Sequence, residues 1–270
     1  MKLLIDIDSA VFKAGCANEA RGYNVVDIDD VTVVHSCQYK KDAVAFVEGL
    51  GGLQEGVRIE PYKAAKGPES HSIQNVDTIV KGIIKQYPRV EYEMYISGKG
   101  NFRYDVHPEY KANRDSFARP LHEQIIRERL ISHWGAEVVD GEEVDDKVSY
   151  LGYDRPDDRI IVSIDKDLDN TPGRHYNYDK KEEYLITHDE GNYNFALQLL
   201  TGDSGDNIPG LPGVGKVGAA EILPYPHADW EEIVYGEYQA RGFDRDYFVM
   251  NGRCLWMRRK PGELWEPSVV

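Results

Sequence analysis

Apolar residues gather in short unbroken blocks along this chain, and several of the blocks close on acidic residues. The first, residues 2–7, is a β-leaning run bounded by Asp6 and Asp8. It predicts a strand buried on both faces of a parallel sheet, with carboxylates at its C-terminal end, the edge where open α/β sheets bind ligands. Similar blocks predict strands over residues 31–34, 90–97, 136–139 and 159–164. Helical spacing predicts helices over 43–50, 76–87, 194–200, 217–223 and 230–240. Alternating strand and helix signals favour an α/β fold with a mostly parallel sheet flanked by helices. Residues 247–267 are rich in aromatics and are expected to fold back on the core.

At 270 residues and 41% hydrophobic content the chain can bury a sizeable core. Acids at positions 6 and 8 break any signal-peptide apolar region, and no run approaches a membrane span, so no membrane partner and a cytoplasmic location are expected. Cys16, Cys37 and Cys254 have no C-x-x-C spacing and read as reduced structural thiols. The eight histidines are scattered, which leaves Cys/His zinc chemistry without support. A formal charge of −15 argues against a general polyanion binder, because phosphate affinity comes largely from Lys and Arg.

One stretch departs from that acidic background. Between residues 98 and 129, Lys99, Arg103, Lys111, Arg114, Arg119, Arg127 and Arg129 alternate with Phe102, Tyr104, Tyr110 and Phe117. Cations that track phosphates, interleaved with rings on which bases stack, suit a single-stranded nucleic-acid path; a solvated helix pair would carry the same pattern.

The acids themselves form four groups near the predicted ends of elements: Asp6 with Asp8; Glu143, Asp145 and Asp146; Asp165 with Asp167; Asp203 with Asp206. Converging carboxylates repel one another unless cations neutralise them, and oxygen-only ligation favours Mg²⁺ or Mn²⁺ over zinc. Two such ions would activate water and stabilise a leaving oxygen. Directly after the last pair, Gly210-Leu211-Pro212-Gly213-Val214-Gly215-Lys216 makes a glycine-rich turn into a helix, a backbone amide cradle that holds phosphate without reading bases. Acids and cradle together point to phosphodiester chemistry.

In this order the residues resemble the 5′ nuclease family, which includes phage exonucleases of the T7 and T5 kind, the 5′ nuclease domain of bacterial DNA polymerase I, and flap endonucleases. The segments that carry the resemblance are Leu4-Ile5-Asp6, Phe102-Arg103, Tyr110-Lys111-Ala112-Asn113-Arg114, Gly141-Glu142-Glu143-Val144-Asp145-Asp146, Ser163-Ile164-Asp165-Lys166-Asp167-Leu168 and Thr201-Gly202-Asp203-Ser204-Gly205-Asp206-Asn207-Ile208-Pro209-Gly210. The resemblance implies a PIN-like α/β core over residues 1–190 with a helical arch at about 98–130. A helix-hairpin-helix DNA-binding lobe would follow over 191–245, and a C-terminal segment, 246–270, would pack on the core.

It further implies a first metal cluster of Asp6, Glu143, Asp145, Asp146 and Asp165, and a second of Asp167, Asp203 and Asp206. Lys111 and Arg114 would act on the scissile phosphate, with Asp6 and Asp165 the central catalytic acids. Arg103 would be a further phosphate contact and Tyr110 a base-stacking surface. Gly213, Val214, Gly215 and Lys216 would grip the duplex, with K⁺ at the hairpin. The implied protein is a monomeric 5′→3′ exonuclease using two Mg²⁺ or Mn²⁺ ions on duplex DNA ends, with 5′-flap and RNA–DNA hybrid cleavage and 5′-phosphate products.

Ser97 stands where the family places a further aspartate, and Asp8 has no dependable counterpart. Two alternatives follow: a DNA-structure-binding protein of the same fold without turnover, and a haloacid-dehalogenase-type phosphatase in which Asp6 is the nucleophile and Asp8 the acid.

Overall fold

The computed structural model describes residues 1–114, 119–224 and 229–268, with residues 52–54 described by backbone alone. Phe117 of the basic and aromatic stretch lies outside the described residues. The chain divides into two compact units, the first made of Met1–Ser9, Val80–Arg114 and Leu130–Val270, the second of Ala10–Ile79 and Asp115–Arg129.

The first unit holds the predicted parallel sheet. Strand β1 (Lys2–Asp6) is its centre, since Leu3, Leu4 and Ile5 are buried on both faces as an uninterrupted apolar run requires. Strands β5 (Glu91–Ser97), β6 (Glu137–Val139), β7 (Arg159–Val162), β8 (Gly173–Asn177) and β9 (Glu182–Ile186) complete it in the order β6-β5-β1-β7-β8-β9. Every pairing is parallel except the β8–β9 hairpin. Asp6 pairs with Tyr95, so β1 and β5 end within two residues of each other, and β7 ends alongside them. Strand order reverses about β1, the topology that opens a crevice at the C-terminal edge of such a sheet.

Helix α6 (Val144–Asp154) covers part of one face. Its Val144 and Val148 pack with Leu4, Tyr95, Val139 and Ile161, each fully buried aliphatic side chain contributing about 1.5–3 kcal/mol. A helical layer follows: α7 (His188–Thr201), α8 (Lys216–Ile222), α9 (Trp230–Ala240) and α10 (Arg245–Leu255). Helix α7 starts in a capping box, with Thr187 and Glu190 exchanging side chain to backbone hydrogen bonds. Its core is aromatic: Phe195 lies 4.8 Å from the Trp256 ring and 5.3 Å from Trp265, and Tyr238, Phe248 and Leu199 close the cluster. These tryptophans come from the tail, which contains α10; its aromatic richness masked the helical period.

The second unit holds a sheet of which the hydrophobic pattern predicted only a strand at 31–34, overlapping β3: β2 (Glu19–Asp27), β3 (Val33–Cys37) and β4 (Val57–Ala65), antiparallel in the order β3-β2-β4. β2 and β4 pair over their whole length, from Glu19–Ala65 to Asp27–Val57. Their alternation is weak because charged residues such as Arg21, Lys63 and Glu60 sit inside the ladder. Helices α1 (Asp8–Ala17), α2 (Lys40–Gly49), α3 (Glu69–Gln86) and α5 (Glu123–Trp134) lie wholly or partly in this unit. Among the described residues no helix is long and apolar enough to cross a membrane, and all three cysteines are free.

Candidate functional site

The C-terminal edge of the parallel sheet gathers the acids in a connected chain. Asp6, 3% exposed at the end of β1, accepts hydrogen bonds from the Asp8 backbone N–H at 3.1 Å and from Ser163 Oγ at 2.7 Å. Ser163, just past β7, also accepts from the Asp165 N–H at 3.0 Å, so one hydroxyl ties the two strand ends together. Asp165 caps the 3-10 turn Lys166–Asn170 by accepting from the Asp167 N–H at 3.0 Å, which fixes the two carboxylates two residues apart. Gln198 of α7 donates to Asp167 Oδ1 at 2.6 Å.

Lys166 then bridges to the next group, 3.3 Å from Asp167 and 2.9 Å from Asp203. Asp203 and Ile208 close a tight loop by exchanging backbone hydrogen bonds, and Asp203 Oδ1 accepts from the Gly205 N–H at 2.7 Å. The base of that loop requires glycine: at Gly202 (φ +66°) a Cβ would stand 2.3 Å from the Ile208 carbonyl oxygen, and at Gly210 (φ +62°) 2.1 Å from the Gly202 nitrogen. The Tyr110 hydroxyl lies 2.9 Å from both Asp206 and Glu143 and donates its one proton to either. Lys111 pairs with Glu143 and stands 3.5 Å from Asp206, while Arg114 pairs with Asp206 from the exposed side.

Gathering so many carboxylates perturbs them. Burial, then the charges of Asp8 and Asp165, pushes Asp6 up to about 7 despite its two hydrogen bonds. Burial, then Asp6, Asp165, Glu143 and Asp167, raises Asp145 well above the carboxylate range. Burial and Asp165 push Asp167 up to about 6 against the opposing pull of Lys166. Burial would raise Asp203 as well, but Lys166 and the Gly205 and Asp206 N–H groups hold it below its ordinary value. These acids lack positive charge, and the cations at hand, Lys111, Arg114 and Lys166, are spread around their rim. A further group points the same way: the Tyr178 hydroxyl is buried with no hydrogen-bond partner, in the field of Asp6, Asp8 and Asp165.

Hard carboxylate oxygens with ammonium and guanidinium groups standing in as counter-charges are a donor set that suits divalent cations. Among the described residues, no three of these side chains are drawn together into a ready ligand shell. Asp6, Glu143, Asp165, Asp167, Asp203 and Asp206 each accept instead from a protein donor.

Three sequence-based assignments need correction. Arg103 is not a surface phosphate contact: it is fully buried, bidentate to Asp146 at 2.5 and 3.0 Å, and donates to the Cys254 and Trp256 carbonyls. Asp146 is therefore no free metal ligand either, since both its oxygens are taken by Arg103 and it also accepts from the Arg258 N–H at 3.4 Å. Tyr110, 2% exposed with its hydroxyl engaged, offers no ring face for base stacking. Arg103 and Asp146 form a buried cross-link between α4 (Arg103–Val106), α6 and the end of α10, and Tyr110, past α4, is buried in the core of the helical layer.

Asp8 has no dependable counterpart in the family. Its carboxylate accepts from Ser97 at the end of β5, from the backbone N–H at 3.0 Å and from the hydroxyl, which brings an acid to the very strand end where Ser97 stands. Sequence reasoning also passed over Ser163, Lys166 and Tyr178; only Lys166, flanked by two acids, left a signal in the sequence. Gly213, Val214, Gly215 and Lys216 form a largely exposed turn into α8. Gly213 needs its φ of +83°, whereas Gly215 has φ −92° and open space around it, so the fold itself does not demand a glycine there. The stretch 98–114 holds the four-residue helix α4 and a run of turns. Asp6, cast as nucleophile in the phosphatase alternative, is buried with both oxygens engaged.

The mostly parallel sheet, with acids at its strand ends, has the fold seen in 5′ nucleases. The fold matches bacteriophage T5 5′-exonuclease, solved with zinc ions bound, with a TM-score of 0.51 at 17% identity, over 94% of this chain and 89% of that one. In sequence the chain is similar to DNA polymerase I of Pseudomonas aeruginosa (29% identity over 186 residues, 61% of this chain and 20% of that protein). It is also similar to flap endonuclease Xni of Shewanella putrefaciens (26% over 176 residues, 58% and 67%). A third relative is a 5′-3′ exonuclease of Buchnera aphidicola (29% over 145 residues, 48% and 50%). The match spans about a fifth of the polymerase and two thirds of the flap endonuclease. No protein-family model matches. The resemblance to the 5′ nuclease family thus holds in sequence and in fold.

Proposed function

We propose that this protein is a divalent-metal-dependent 5′→3′ nuclease acting on DNA with free 5′ ends or 5′ flaps, with hydrolysis of RNA–DNA hybrids as a companion activity. The observation that carries the reading is the connected set of acids, Asp6, Asp145, Asp165, Asp167, Asp203, Asp206 and Glu143, at one sheet edge with Lys111 and Arg114 facing it. The residues that would hold metal are Asp6, Asp145 and Asp165 with Glu143, and Asp167 with Asp203 and Asp206. Two Mg²⁺ or Mn²⁺ ions held there would supply an activated water and neutralise the phosphate charge.

The chain's own residues do the rest. Lys111 and Arg114, within the arch, would turn from their acids to the scissile phosphate and stabilise charge on the departing 3′ oxygen, leaving a 5′ phosphate. The exposed turn Gly213–Lys216 would present backbone N–H groups to a duplex strand and could also hold K⁺. The terminal nucleotides would unpair, at a cost of a few kcal/mol, to reach the acids. Asp8, held by Ser97, supplies negative charge where the family's further aspartate is absent, which favours turnover over binding alone. The division into an α/β core (1–190), arch (98–130), helix-hairpin-helix lobe (191–245) and C-terminal segment, acting as a soluble monomer in the cytoplasm, completes the reading.

The test is a 5′-labelled duplex and a labelled 5′-flap substrate incubated with the protein in Mg²⁺ or EDTA. Mg²⁺-dependent release of short 5′ fragments is expected. Intact DNA despite tight binding in Mg²⁺ would move the assignment to the non-catalytic binder.

A further inference from the structure

Lys166 occupies an unusual place for a lysine. It stands between two acids in the sequence, yet the 3-10 turn capped by Asp165 folds its ammonium back across the site, onto Asp203 at 2.9 Å and Asp167 at 3.3 Å. Its two acid partners lie on different segments, one on the turn after β7 and one in the loop after α7.

Those acids do not depend on Lys166 for their positions. Asp203 Oδ1 is held by the Gly205 and Asp206 N–H groups at 2.7 and 3.3 Å, and its Oδ2 is the atom given to Lys166. Asp167 is held by Gln198 at 2.6 Å, and its backbone N–H is bonded to Asp165. Lys166, in contrast, is held by nothing but these two carboxylates in the hydrogen-bond network described, and its side chain is 71% exposed while Asp203 and Asp167 are largely covered. A long flexible stem in water with a point-charge head can leave at little cost, and the carboxylates it leaves stay in place.

We infer that Lys166 is the resident counter-cation of the Asp167–Asp203 pair, and that a divalent ion bound at this pair displaces its ammonium. The inference rests on the metal-dependent reading above and adds a positioning residue to it. Lys166 sets the affinity of this cation site by competing for it, and it prevents repulsion between Asp167 and Asp203 while the site holds no metal. Two unit charges of opposite sign at these separations interact strongly enough near a protein surface to shift a binding equilibrium, yet weakly enough to be exchanged.

The test is a titration with Mn²⁺ alone, without DNA, following the electron paramagnetic resonance signal of the free ion. Four proteins are compared: wild type, Lys166→Met, Lys166→Arg and Lys85→Met, the last making the same charge change at an exposed site on α3. Lys166→Met is expected to bind Mn²⁺ about fivefold more tightly than wild type, while Lys166→Arg and Lys85→Met stay near wild type. In EDTA the thermal midpoint of Lys166→Met should fall below that of wild type, and saturating Mn²⁺ should close the gap. A Lys166→Met protein that binds Mn²⁺ no more tightly than Lys85→Met would overturn the inference and leave the metal-dependent reading standing. Wild type that binds no Mn²⁺, with Asp203→Asn indistinguishable from it, would overturn both.

Discussion

Two sets of ion pairs lie in the same unit of this protein, and they differ in kind. Arg103 and Asp146 are wholly buried, with bidentate geometry, and the guanidinium also satisfies two backbone carbonyls at the end of α10. Lys111, Arg114 and Lys166 pair with acids at the rim of the sheet edge, with Lys166 and Arg114 largely in water. In the first set the charges are trapped: separating them leaves an uncompensated charge in the interior. In the second, either partner can find water or another ion, so the pairing is exchangeable. The same residue chemistry thus serves architecture in one place and, on the proposed reading, ligand exchange in the other. The difference is made by burial alone.

The sharpest way to break this contrast is to remove a trapped partner. Arg103→Ala should destabilise the protein by about 3–5 kcal/mol in urea unfolding, and Mn²⁺ should not rescue it; a loss under 1 kcal/mol would mean the pair is not a cross-link. Next in size is Asp165→Asn, expected to cut turnover at least ~100-fold, about 3 kcal/mol in the barrier, while fold and DNA binding persist. Near-normal cleavage by that variant would remove Asp165 from the catalytic set. Lys111→Ala should lower kcat roughly tenfold or more with DNA affinity little changed, because its charge matters most as the leaving oxygen develops. An unchanged kcat would return Lys111 to a purely structural pairing.

The smallest effect is in pH. Asp6 and Asp167 are raised from 3.8 to about 7 and about 6, so over that interval the folded protein binds protons that the unfolded chain has released. Stability of the metal-free protein should therefore fall as pH rises from about 4 to 7, read as a falling thermal midpoint. Metal affinity should rise over the same window as the carboxylates ionise. A metal-free midpoint that climbs from pH 5 to 7 would show that burial is not what dominates these acids.

Much of the fold could be read from local pattern. β1 and β7 follow from apolar runs because a strand buried on both faces has no polar alternative, and β5 and β6 from the apolar residues they keep at their ends. Of the β2-β3-β4 sheet only β3 was partly visible, since charged residues sit inside the β2–β4 ladder and the β2–β3 register shifts between Val25 and Val26. Helix α10 was hidden in an aromatic tail. Among the candidate site residues, the acids and the glycine turn were visible as residue types and spacings. Arg103, Asp146 and Tyr110 could not be assigned in that way, because the resemblance specifies a place in the order of motifs and not whether a side chain faces solvent.

What the sequence pointed to by itself was the class of chemistry proposed. Carboxylates placed at strand ends, followed by a glycine turn into a helix, are local features, and local features survive without knowledge of distant contacts. The tertiary structure alone decided which charges are spent on the interior and which remain available. Arg103 meets Asp146 across 43 residues and Lys166 meets Asp203 across 37, and neither the burial of the first pair nor the exposure of the second is written in their spacing. A charge acquires its role from the dielectric around it, and that surrounding is assembled only when the chain has folded.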